Sequence, residues 1–179
     1  MIAPDSLVQL ATDLGLLAQS QRKMIVTAES CTGGLIAWAL TQTAGSSAWF
    51  ERGFVTYSNA AKEQSIGVPS ELIAAHGAVS ETVALAMAQG ALNTVANAQL
   101  ALSVTGIAGP SGGSPDKPVG TVCFAWAVRQ DGQQPSIHTT VQTRVFEGDR
   151  AQIRERAAQH AIAQAIALLS TNRPSSATK

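Results

Sequence analysis

"KMIVTAESCTGGLIAWALTQ", residues 23–42, decides the fold reading. Lys23 to Ala28 is a short, β-branched apolar run, the signature of a buried strand. Thr32 to Gln42 then carries apolar residues at helical spacing. A strand that passes through a polar loop into a helix is the building unit of a wound α/β sheet.

The rest of the chain extends this pattern. Upstream, Leu7, Leu10, Leu14 and Leu17 make a helical stripe over residues 5–19, with Asp5 or Ser6 as its cap. Downstream, "FERGFVTY" (50–57) reads as a second strand, "NAAKEQSI" (59–66) and "PSELIAAHG" (69–77) as short helices. Ser80 caps a helix over residues 80–97, and "AQLALSVTG" (98–106) is a third strand. "TVCFAWAVRQ" (121–130) and "SIHTTVQTRVF" (136–146) flank "DGQQP" and predict a hairpin. A last helix is expected from about Gly148 to Leu169, and a polar tail over 171–179. The expected fold class is α/β: a three-layer α/β/α sandwich over residues 1–170, one domain, with a mixed, mostly parallel sheet ending in an antiparallel hairpin. Met87 and the three tryptophans read as core.

Composition narrows the function classes. Of 179 residues, 45% are hydrophobic and 13% charged, which suits a compact enzyme and favours a homodimer or larger assembly. Twelve basic residues balance twelve acidic ones, so nothing supplies the field that nucleic-acid binding needs. The one basic cluster, Arg144, Arg150, Arg154 and Arg156, is interleaved with acids and reads mainly as a solvated helix face. Two cysteines make no disulfide framework, no signal peptide or membrane span is evident, and a reducing cytoplasm is the expected location.

Three loops follow strands, after Ala28, Tyr57 and Val104, and ligands of wound sheets bind at such strand ends. In the first loop Ser30 and Cys31 are candidate nucleophiles at a helix start, where unpaired N–H groups can hold an oxyanion and Gly33 and Gly34 allow close approach. The plain alternative is that Ser30 or Thr32 is only a helix cap. In the second loop, Ser58 or Asn59 caps a helix whose first turn contains Lys62, where the dipole disfavours a cation. A partly buried lysine there has a lowered pKa and suits a serine as base, with Tyr57 as proton relay. The alternative is a solvent-facing lysine and a rim tyrosine. The third loop, "SVTGIAGPSGGSPDKPVGTV" (103–122), holds Gly106, Gly109, Gly112 and Gly113 but fits neither the dinucleotide nor the P-loop fingerprint, so it argues against NAD and ATP. It reads as a backbone wall for a small ligand. His76, His138 and His160 are scattered, without metal-ligand spacing, and no cofactor is implied.

Together "TAESCTGG", "VTYSNAAK", "HGAVSE", "SVTGIAGPSGG", "KPVGTV" and "EGDRAQIR" resemble, in order, the CinA C-terminal domain family over about residues 5–168. The resemblance implies an amidohydrolase that converts nicotinamide mononucleotide, a pyridine mononucleotide, to nicotinate mononucleotide and ammonia in pyridine nucleotide salvage. It places the family's serine, tyrosine and lysine on Ser30, Tyr57 and Lys62. Substrate contacts are then expected from Glu29, Cys31, Thr32, Gly33, Asn59, Thr105, Gly106, Gly109 and Arg144. Two rivals stand beside this reading: Cys31 as the nucleophile, and a nucleotide-binding module without turnover.

Overall fold

A computed structural model describes residues 4–130 and 136–171. The 131–135 link of the expected hairpin and the tail beyond Thr171 lie outside the described residues. In chain order the helices are α1 (Pro4–Ser20), α2 (Leu35–Leu40), α3 (Asn59–Ile66), α4 (Ser70–His76), α5 (Glu81–Thr94) and α6 (Arg150–Thr171). The strands are β1 (Ile25–Glu29), β2 (Phe50–Val55), β3 (Leu100–Gly106), β4 (Thr121–Gln130) and β5 (Ser136–Val145). The sheet order is β2-β1-β3-β4-β5. β1 pairs in parallel with β2 and β3, and β4 runs antiparallel to both β3 and β5. Four strands therefore share one direction, and the mixed α/β/α sandwich expected from the sequence is what forms.

The two faces of the sheet are chemically different. Leu100, Leu102 and Val104 of β3, with Phe124 and Trp126 of β4, face α1, α2 and α6. The opposite face presents Ala101, Ala125 and Ala127, against which Ala84, Ala88 and Ala91 of α5 pack. Large side chains fill one interlayer space and small ones draw α5 close in the other. Each Leu or Phe removed from water contributes about 1.5–3 kcal/mol, so the larger share of the core energy lies on the α1/α6 side. Close approach also explains Gly90: a Cβ there would collide with the carbonyl oxygen of Ile66, at the end of α3. That approach seats α3, the helix that carries Lys62, against α5.

Several sequence expectations are corrected. The helix expected from Thr32 starts only at Leu35, because Gly33 and Gly34 adopt left-handed φ of 60° and 92° and form a turn instead. α1 is described from Pro4, so Ser6 lies inside it, and its hydroxyl accepts a bond from Gln159. Trp38 is 46% exposed, whereas Trp49, Trp126 and Met87 are core as expected. The caps at Ser58 and Ser80 form: their hydroxyls accept from the N–H of Ala61 and Val83. No described helix is long and apolar enough to cross a membrane.

Candidate active site

The carboxyl ends of β1, β2 and β3 converge, as the wound topology requires, on a cleft of about 220 Å³. Ser30 follows β1 directly, and its N–H donates to Val104 O of β3 at 2.9 Å, which fixes the Ser30 turn to the sheet. Lys62 reaches the same point from α3. Its side chain is 1% exposed, so the solvent-facing alternative is excluded. Nζ lies 3.1 Å from Ser30 Oγ and donates to the carbonyls of Thr56 at 3.0 Å and Tyr57 at 3.3 Å.

No carboxylate pairs with Lys62 among the described residues. Burial lowers its pKa from the ordinary lysine value. Once the amine gives up its proton, two N–H groups can keep the two carbonyls while its lone pair faces the Ser30 hydroxyl. Cys31 beside it is in the opposite condition. Burial, and secondarily the charge of Glu29, push its thiol up to about 12. At pH 8 a thiol of that pKa is thiolate in only about one molecule in 10⁴, so iodoacetamide should alkylate Cys31 at least about 10²-fold more slowly than an exposed cysteine. Rapid labelling of Cys31 in a mass-spectrometric time course would restore it as a nucleophile.

Glu29 turns out to be the true cap of α2. Its carboxylate accepts from the N–H of Gly34 (3.0 Å), Ile36 (3.1 Å) and Ala37 (2.8 Å) and is 1% exposed. The α2 N-terminus is therefore already neutralised and is not the anion site expected from the sequence. Neither Ser30 nor Thr32 caps it. The free donors lie one turn earlier. Gly33 N–H closes a turn onto Ser30 O at 3.0 Å, while the N–H groups of Cys31 and Thr32 have no backbone acceptor among the described residues. Cys31 lines the cleft beside Ser30, so its N–H suits an oxyanion, whereas Thr32 is fully buried.

Of the remaining expected residues, Tyr57, Asn59, Thr105 and Gly106 line the cleft. Tyr57 does so with its ring, 57% exposed; its carbonyl, not its hydroxyl, touches Lys62. The Thr105 hydroxyl donates to Ala78 O at 2.8 Å and secures the loop before α5, whose Ala78 and Val79 also face the cleft. Four expectations fall outside it. Glu29 is spent on α2, Thr32 is buried behind the turn, and Gly33 opens onto a separate surface hollow beside Trp38. Arg144 is exposed on β5 opposite Val122. Gly109 stands at the margin and offers its carbonyl to Arg150.

Arg150 is the arginine that sequence reasoning missed. It lines the cleft and donates from Nη1 to Gly109 O at 2.8 Å and from Nη2 to the Tyr57 hydroxyl at 2.9 Å. Its signal is the "EGDRAQIR" motif, whose interleaved charges look like a solvated face in sequence alone.

Residues 7–169 match the family model described as the CinA C-terminal domain. The chain belongs to the CinA C-terminal domain family. Nicotinamide-nucleotide amidohydrolase PncC of Escherichia coli strain K12 is 51% identical over 157 residues, which cover 87% of this chain and 90% of that protein. A putative competence-damage inducible protein of Symbiobacterium thermophilum is 54% identical over 152 residues, 84% of this chain but 35% of that protein, so the chain spans about a third of that relative's length. The crystal structure of competence/damage inducible protein CihA from Agrobacterium tumefaciens superposes with a TM-score of 0.83 at 43% identity, covering 94% of this chain and 98% of that one.

Proposed function

We propose that this CinA C-terminal domain is a nicotinamide-nucleotide amidohydrolase, releasing ammonia and nicotinate mononucleotide from nicotinamide mononucleotide. The observation that carries the reading is the buried Lys62 amine, 3.1 Å from Ser30 Oγ with no acidic partner among the described residues. The name of the E. coli relative supplies the substrate class. A primary amide needs a strengthened nucleophile, donors for the oxyanion, and a proton for the departing ammonia.

Ser30 Oγ attacks the carboxamide carbon as Lys62 Nζ takes its proton. The N–H group of Cys31 holds the oxyanion. Lys62 then protonates the leaving nitrogen, and ammonia departs from an acyl-serine. Water, deprotonated by Lys62, releases the acid and restores the serine. Tyr57 orients the amine through its carbonyl and supports the substrate with its ring. The cleft is smaller than the roughly 300–1,000 Å³ typical of enclosed small-molecule sites. It fits the pyridine carboxamide, with ribose and phosphate crossing the open rim past Asn59 and Arg150. The product re-enters the salvage route to the dinucleotide, and the reaction consumes no cofactor.

Ammonia release from nicotinamide mononucleotide, set beside calorimetric binding of the same compound, tests this reading. Turnover with one ammonia per nicotinate mononucleotide is the expected result. Tight binding without ammonia would replace the enzyme with a binding module.

A further inference from the structure

α6 carries Arg150 and Arg154 four residues apart, on one helical face, and between them they hold all three loops of the cleft. Arg150 ties the loops after β2 and β3. Arg154 reaches the loop after β1: Nε donates to Cys31 O at 3.1 Å and Nη2 to Thr32 O at 2.8 Å. We propose that Arg154, acting through these two carbonyls, is the positioning residue that presets the Cys31 N–H of the Ser30–Gly33 turn as the oxyanion donor. The proposal rests on the amidohydrolase reading above.

The geometry supports it in three ways. Trans peptides are planar, so C=O and N–H point in opposite directions and holding Ser30 O fixes the direction of the Cys31 N–H. One rigid guanidinium holds Cys31 O and Thr32 O, and Thr32 O shares its peptide with the Gly33 N–H that closes onto Ser30 O, so the Cys31 N–H is fixed. The guanidinium also packs against the turn itself: a Cβ on Gly33 would come within 3.4 Å of Nη2. Finally, Arg154 has no carboxylate partner among the described residues. Its N–H groups are therefore given to the two carbonyls of the turn. The anchor is firm, because Ile153 and Ala157 on either side of it are buried in the core.

The test compares Arg154→Ala, Arg154→Lys and Ser30→Ala with the wild-type chain, following kcat and KM for nicotinamide mononucleotide, thermal midpoint, and the rate at which a fluorophosphonate labels Ser30. Loss of the aligned oxyanion donor is expected to lower kcat of Arg154→Ala about 10²-fold with KM changed less than about threefold. Fluorophosphonate labelling should slow in parallel, because its phosphoryl oxygen uses the same donor as fluoride leaves. Added guanidinium ion should restore at least about a tenth of the lost rate, which a purely structural bond would not show. If Arg154→Ala does not fold, Arg154→Lys, with a single point donor, is expected to lose about tenfold in kcat alone. Unchanged kcat and labelling, or a rise confined to KM, would overturn the inference. An active Ser30→Ala would instead overturn the amidohydrolase reading. An inactive Ser30→Ala beside an unimpaired Arg154→Ala would overturn only the role of Arg154.

Discussion

Ser30→Ala is expected to lower kcat for ammonia release by about 10⁴-fold or more, the scale on which hydrolases lose activity with their nucleophile. The thermal midpoint should barely move. The substitution removes the hydroxyl's bond to Lys62, and the amine keeps the carbonyls of Thr56 and Tyr57. The turn is held by backbone bonds from Ser30 N–H and Gly33 N–H and does not need the side chain. A chromatographic assay of nicotinate mononucleotide decides the matter. Retained turnover would move the chemistry away from Ser30, and the raised pKa of Cys31 leaves that thiol poorly suited to inherit it.

Lys62→Met is expected to abolish turnover and to stabilise the fold. In the proposed mechanism the amine is general base and later acid, a role worth about 10²–10⁴ in rate. Its stability effect follows from the direction of its pKa. A lysine lowered by burial releases its proton in the folded chain at a pH where the unfolded chain still binds it. Stability therefore rises with pH between the folded value and the ordinary one, and below that window the protein carries the penalty of a buried cation. Methionine has a similar length and no such penalty. Its thermal midpoint should exceed the wild type's by about 3 °C or more near pH 7, since roughly 1 kcal/mol moves the midpoint of a chain this size by 2–4 °C. The gap should narrow as pH approaches the ordinary lysine value. A destabilised Lys62→Met across the whole pH range would show that the amine is a structural bond and not a strained base.

Much of this was legible locally. Alternating strand and helix patterns fixed the sheet, because β1 and β3 are continuous buried runs and α5 follows a clear serine cap. Lys62 stood out because a cation is out of place in a first helical turn, whereas Ser30 at a helix start read equally as a cap until Lys62 tipped the choice. What stayed hidden depends on residues far apart in sequence. Arg154 bonds carbonyls more than 120 positions upstream, and its helix pattern shows only a charged face. Glu29 reads as a strand terminus, but its carboxylate turns across the Gly33–Gly34 bend to cap α2. The exposure of Trp38 follows from the shortness of α2, which the two glycines signalled without giving its length. Tyr57 was placed in the cleft by its position after β2, yet whether its hydroxyl or its carbonyl meets the lysine depends on where Arg150 lies.

The most direct test is the titration of the Lys62 amine itself, followed by NMR in protein labelled at lysine, next to the pH profile of kcat/KM. The neutral, buried base requires Lys62 to titrate below the ordinary lysine value of about 10.4, at the same pH as the limb on which kcat/KM rises. A Lys62 amine that stays protonated throughout that limb would contradict it.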